Sequence, residues 1–162
     1  MRRLSPLSAL LPMCLAAPVA LAFDASKLEQ AATTRACPHC DLSGGDLSGK
    51  NLQGANLQNA NLSGAKLSGA DLSVRQLEKS FLPANLEGVN AKGADLANAN
   101  LRGASLAGAF LKDAKLGGAN LSGVNLTGTN LKGADIAGAN LEGATLCKTT
   151  MPDGKADNSG CQ

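Results

Sequence analysis

The residues of this chain best suited to chemistry are Cys37 and Cys40, separated by Pro38 and His39. Two cysteines at this spacing can close a disulfide or exchange it with another dithiol. Exchange requires an accessible thiolate, stabilised by a helix N-terminus or a nearby cation. A structural zinc site requires four ligands. His39 is the only histidine, and Cys147 and Cys161 lie at the far end of the sequence. Haem attachment needs His directly after the second cysteine, where Asp41 stands instead. A dithiol or disulfide is therefore what the tetrapeptide can supply. The elements around it decide between a structural bridge and a redox centre.

Upstream, residues 1–22 read as an export signal. Arg2 and Arg3 form a charged start, an apolar stretch from Leu4 to Leu15 is too short to span a bilayer, and Ala20-Leu21-Ala22 fits a small-x-small cleavage site. Cleavage is expected after Ala22. It would take Cys14 away and leave four cysteines in an oxidising compartment. The chain has 15 basic and 13 acidic residues. Losing Arg2 and Arg3 leaves 13 of each, a net charge of zero. A neutral protein has no overall field to draw in nucleic acid, so no nucleic-acid partner is expected. The chain is not expected to span a membrane.

Residues 24–36 carry helix signals: Asp24 or Ser26 as cap, and Leu28, Ala31 and Ala32 on one apolar side. From Asp41 to Cys147 a period of five takes over. Leucines recur at Leu42, Leu47, Leu52, Leu57, Leu62, Leu67 and Leu72, then from Leu86 to Leu146. Among the twenty repeats only Ala91 and Ile136 replace leucine at the centre, and fourteen carry Ala two positions earlier. Asn or Asp mostly precedes the centre, and Gly mostly follows two positions after it. A period of five fits neither a helix nor a flat strand. It fits a chain that turns a corner in every repeat, with Leu and Ala inward and Asn, Asp and Gly at the corners. Four repeats make a coil of 20 residues, and coils stack at about 4.8 Å. The near absence of aromatics, with three Phe and neither Tyr nor Trp, suits a narrow and regular core.

Segments such as Ala55-Asn56-Leu57-Gln58-Asn59 and Ala94-Asp95-Leu96-Ala97-Asn98 resemble the pentapeptide-repeat family, over about two-thirds of the chain. The resemblance implies an all-β fold: a right-handed, quadrilateral parallel β-helix, here with a short N-terminal capping helix. Cys-Pro-His-Cys before the repeats, and Thr-Thr-Met-Pro-Asp-Gly with a terminal Gly-Cys after them, resemble exported bacterial members. Some members of the family mimic DNA and act on topoisomerases. That role needs an acidic cytoplasmic protein and is not carried over to a neutral exported one.

The expected organisation is a signal at 1–22, a capping helix and CxxC at 23–40, a solenoid at 41–147 and a capping tail at 148–162. Between Leu72 and Leu86 the phase slips, with a spacing of 14. Residues 74–83 read as two degenerate repeats with one residue deleted, forming a kink or bulge. A short protruding loop is the alternative. Cys37 falls at a centre and Cys40 at an inward Ala position, so both should face the core. Five coils would separate the two cysteine pairs by roughly 24 Å, too far for a bridge. This selects Cys37 with Cys40 and Cys147 with Cys161.

Cys-Pro-His-Cys also matches the active-site tetrapeptide of a periplasmic thiol oxidase of the thioredoxin superfamily, but no thioredoxin-like strand-helix pattern surrounds it. A thiol-disulfide protein using this motif is one alternative function, and a purely structural or stress-related envelope protein is another. The favoured reading is a non-enzymatic scaffold offering its surface to a cell-envelope partner, a protein or an anionic component. No catalytic residue, metal or cofactor is expected. A monomer and an end-to-end or side-by-side homodimer both remain open. The 20-residue coil stacks Lys92, Lys112 and Lys132 in one column beside Phe110, which is the expected binding strip.

Overall fold

The computed structural model describes residues 25–162, so the segment read as an export signal lies outside the described residues. Helix α1 (Ala25–Thr34) comes first. Its apolar side carries Ala31, fully buried, with Leu28 and Ala32 packed on the core. Arg35, in left-handed backbone at φ 55°, ends the helix.

Parallel bridges then link residues 20 apart: Asp41 with Asn61, Asp46 with Lys66 and Asn51 with Asp71. Each inner repeat shares three main-chain hydrogen bonds with the next coil and three with the one before. The Leu42 N–H donates to the Asn61 carbonyl at 2.8 Å, Gly44 N–H to Ser63 at 3.0 Å, and Asn61 N–H returns to Cys40 at 2.8 Å. A turn bond closes each corner, as Ala60 N–H to the Leu57 carbonyl at 2.9 Å. The third residue of that turn needs positive φ, the type II requirement. Glycine meets it in most repeats, and His39, Asn59, Asn98 and Asp113 adopt it at 55° to 58°.

The residue before each centre has a further use. Its side-chain oxygen accepts the N–H two residues on, as Asp46 Oδ1 does from Ser48 at 3.0 Å and Asn130 Oδ1 from Lys132 at 3.0 Å. That N–H points out of the turn and has no carbonyl to meet, so Asn and Asp are favoured there. Many of these residues are therefore half-buried rather than fully exposed, Asn61, Asn100 and Asn120 among them.

The core is a column of leucine and alanine. Centres from Leu42 to Leu72 and from Leu86 to Leu131 are buried. Thr129 and Thr149 replace alanine at inward positions. Each donates its hydroxyl to a carbonyl of the preceding coil, Leu106 at 2.7 Å and Leu126 at 2.8 Å, so both are buried without an unmet polar group. Lys50 is exposed, as a lysine at the first-coil corner should be. Ile136, Leu141 and Leu146 depart from the expectation, being only half-buried, because no further coil covers them fully.

The phase slip is an insertion. Asn51 pairs with Asp71 at the usual spacing, whereas Asn56 pairs with Asn85, a spacing of 29. Leu72 and Leu86 are thus consecutive centres with nine extra residues between them. Strand β1 (Arg75–Gln76) runs antiparallel to β2 (Phe81–Leu82), and the hairpin projects from the coil. The reading of 74–83 as degenerate repeats is corrected in favour of the protruding loop. Leu77 and Phe81 do not continue the buried ladder and are 41% and 72% exposed.

Replacing a buried centre should cost far more than replacing a hairpin leucine. Leu111→Ala is expected to lose about 2–5 kcal/mol, and Leu77→Ala about 0.5 kcal/mol or less, measured by urea unfolding. Equal losses would contradict the assignment of the hairpin to the surface.

Candidate functional site

The Cys-Pro-His-Cys tetrapeptide is the first corner of the solenoid. Cys37 occupies a centre, with its N–H on the Asn56 carbonyl at 2.9 Å. Pro38 follows at the turn position that suits its fixed φ. His39 takes the left-handed position at φ 58° and donates its N–H to Gln58 at 2.9 Å. Cys40 closes the turn onto Cys37 at 3.3 Å. The two cysteines are bonded, with Cα atoms 5.4 Å apart. Cys37 is fully buried beneath α1, and its Sγ lies 3.7 Å from the Lys27 carbonyl oxygen. A buried sulfur facing a carbonyl dipole lacks the access and positive potential that thiolate chemistry needs. Cys40 is half-buried. The bridge fastens the first corner under the helix.

The second disulfide joins Cys147 to Cys161 across Cα atoms 4.6 Å apart. Strand β3 (Thr149–Thr150) turns through residues 151–155 and pairs antiparallel with β4 (Ala156–Asp157). The tail then crosses the last rung, where Gly160 N–H meets the Leu146 carbonyl at 3.2 Å. A Cβ on Gly160 would lie 2.7 Å from the Leu146 nitrogen, so the crossing requires glycine. Lys148, at φ 54°, is held by its N–H on Asn158 Oδ1 at 3.1 Å.

The structure brings the expected strip together. Asn90 bridges Phe110, and Phe110 bridges Asn130. Gly93 N–H donates to the Lys112 carbonyl at 2.9 Å and Asp113 N–H to Lys132 at 3.0 Å, which stacks Lys92, Lys112 and Lys132 on successive coils. All three lysines are exposed, and Phe110 is 56% exposed beside them. Asp113 approaches Lys112 at 3.9 Å. The neighbouring face has opposite logic. There Asp46, Lys66, Asp95, Lys115 and Asp135 alternate in sign from coil to coil, an arrangement that favours stacking where like charges oppose it.

The hairpin is the surface feature that sequence reasoning misplaced, and a signal for it existed. Continuing either leucine phase through the slip would have put Arg75 or Lys79 at an inward position. Two charged residues there argue for an insertion that leaves the coil. Among the described residues no three His, Cys, Asp or Glu side chains converge as a metal site, and no helix is long and apolar enough to cross a membrane.

The family model for pentapeptide repeats matches residues 39–73, 84–118 and 114–151, in eight copies. This chain belongs to the pentapeptide-repeat family. The match breaks at residue 73 and resumes at 84, on either side of the hairpin. Among solved pentapeptide-repeat structures, Rfr23 from the cyanobacterium Cyanothece 51142 is 28% identical. The alignment covers 74% of this chain and 92% of that one, with a TM-score of 0.46. HetL from Nostoc sp. strain PCC 7120, involved in heterocyst differentiation regulation, is 34% identical over 75% of this chain and 66% of its own, with a TM-score of 0.36. A pentapeptide-repeat protein from the Arabidopsis thaliana thylakoid lumen is 30% identical over 69% of this chain and 72% of its own, with a TM-score of 0.34. No curated protein matches the sequence. Pentapeptide-repeat proteins are generally structural and interaction proteins.

Acid should act on the ends of this pentapeptide-repeat protein. Hydrogen bonds from Ser43 hold the Asp41 carboxyl below its ordinary 3.8, and those from Ser48 do so for Asp46 in the first coil. In the tail, Lys155 does this for Asp153 and Ser159 for Asp157. A depressed folded pKa contributes stability that is present above 3.8 and lost as pH falls through the folded value. At the same position the central coils carry mostly Asn, which does not titrate, with Asp71 and Asp95 as exceptions. Hydrogen exchange at pH 3 and below should therefore show protection lost first around residues 41–49 and 151–159. Uniform loss along the chain would contradict this.

Proposed function

We propose that this protein is an exported, non-enzymatic scaffold that presents the Lys92, Lys112 and Lys132 strip to an anionic component of the cell envelope. In this reading residues 1–22 are a signal removed after Ala22. Residues 23–40 and 148–162 close the two ends of a right-handed, four-sided solenoid at 41–147. Two disulfides support an oxidising destination, since such bridges persist there and are rare in reducing compartments.

The observation that carries the binding role is the strip itself. Successive coils lie about 4.8 Å apart, so three ammonium groups recur at near strand spacing with one carboxylate, Asp113, beside them. Like charges on adjacent rungs disfavour stacking, and the adjoining face avoids them by alternation. An anionic partner would offset that repulsion. The flexible lysines would supply ionic contacts and Phe110 an apolar one, so binding should weaken with salt.

The test is capture of anionic lipid vesicles and envelope components by the wild-type protein and by a Lys112→Glu, Lys132→Glu double variant. The variant is expected to lose capture while its melting temperature changes little, because surface substitutions seldom move stability by more than about 0.5 kcal/mol. Undiminished capture by the variant would reduce the strip to a solvated face. The thiol-disulfide alternative predicts instead that Cys37→Ser, Cys40→Ser abolishes an exchange activity, which the burial of Cys37 opposes.

A further inference from the structure

The Phe110 ring interrupts a ladder of carboxamides. In its column Asn90 donates Nδ2 to Asn61 Oδ1 on the coil before, at 3.3 Å. Asn61 in turn donates Nδ2 to Asp41 Oδ1 at 3.0 Å. Asn130 stands one coil after Phe110 and meets a ring where an acceptor would be. Its Oδ1 accepts the Lys132 N–H at 3.0 Å, but its Nδ2 reaches no acceptor among the described residues. A half-buried amide donor, an exposed ring and the ammonium groups of Lys112 and Lys132 therefore adjoin on two successive rungs.

The positive charge around them is a line. Gly64 N–H donates to the Lys92 carbonyl at 2.9 Å, which sets Ser63 before Lys92 in the column. Gly133 N–H donates to the Pro152 carbonyl at 2.9 Å, which sets Pro152 after Lys132. The run is thus three cations long, on three consecutive rungs. It is also one side chain wide. Across the following corner lie Asp95, Lys115 and Asp135. On the preceding face Glu87, Ala107 and Thr127 stack in the matching column. A flat anionic membrane would set its headgroups against Asp95, Asp113 and Asp135 as well as the lysines. A single extended polyanion can follow the lysines alone.

Building on the reading of this strip as an anion site, we propose that it binds a linear acidic polysaccharide of uronate residues, laid along the solenoid axis with one carboxylate per rung. Rungs recur at ~4.8 Å, which matches the length of one sugar residue in such a chain. Each carboxylate takes a charge-assisted hydrogen bond from one lysine. The apolar C–H face of a sugar ring rests on Phe110 and removes its surface from water. A ring hydroxyl accepts from Asn130 Nδ2. Polyphosphate would leave the ring unused. A single-stranded nucleic acid calls for a run of stacking aromatics, whereas Phe110 stands between Asn90 and Asn130.

The test titrates galacturonate and its linear oligomers of increasing length into the full oxidised chain at low salt, followed by calorimetry. Affinity should climb with each residue up to the trimer and then level off. The Asn130 side-chain amide resonances should shift when the trimer is added, and a neutral galactose trimer should not bind. Lys112→Gln should weaken trimer binding roughly tenfold, the loss of one charge-assisted contact. Lys115→Gln, on the neighbouring face, should leave it unchanged. Oligomers that bind no tighter than the monomer overturn the proposal, as do unmoved Asn130 resonances or equal weakening by the two variants. So does a protein that binds phosphatidylglycerol vesicles through Lys112 and Lys132 but no oligomer; that result keeps the anion strip and assigns it to a membrane. Binding of neither vesicles nor oligomers overturns both. The length series and the amide shifts need no variant, so a misfolded Lys112→Gln protein leaves the proposal open to refutation.

Discussion

After each buried leucine of a regular repeat the chain turns a corner, and the third residue of that turn must adopt left-handed backbone. The rest of the structure depends on this constraint. Each turn brings one face of the coil to an end and starts the next, so four of them return the chain to its starting column 20 residues later. Only then do the N–H and carbonyl groups of adjacent coils meet. Glycine satisfies the constraint at little cost, which explains fifteen of the 19 glycines, from Gly44 to Gly143. Where another residue takes the place, it is mostly Asn or Asp, which tolerate that region better than other side chains, while His39 and Lys148 do so beside a disulfide.

Because the turn and the two inward residues specify the coil, the outward positions are largely free to vary. The protein uses that freedom differently on different sides. One side alternates acidic and basic residues and so favours its own stacking. Another gathers lysines with an exposed phenylalanine. A third interrupts the coil altogether with a hairpin that carries Leu77, Phe81 and Leu82 into solvent. The hairpin costs the coil little, since Asn56 and Asn85 pair across it as other residues do across an ordinary repeat.

Stacked coils have one inherent difficulty, which lies at their ends. A coil in the middle has its backbone groups met on both sides, whereas the first and last do not. The N-terminal end is closed by a helix fastened beside a disulfide-bridged turn. The C-terminal end is closed by a returning strand fastened by a second disulfide, and only in part. Both bridges thus belong to the same problem, and the sulfur of Cys37 is buried within the first of them.

The sequence alone determined the coil, because a period of five with leucine, alanine and glycine at fixed offsets leaves the chain one way to bury its apolar residues. The helix at 25–34 was legible for a similar reason, from its cap and apolar side. Spacing alone also sufficed to stack Lys92, Lys112 and Lys132, since no irregularity falls between them. The tertiary structure decided what periodicity cannot express. A spacing of 14 between Leu72 and Leu86 admits either a deletion from three repeats or an insertion into one, and only the pairing of Asn56 with Asn85 distinguishes them. The tail has no repeat to read. Its partial cover became visible only through the hydrogen bonds of the final rung, because whether Ile136 and Leu141 are buried depends on what lies above them in space, and no residue adjacent in sequence carries that information.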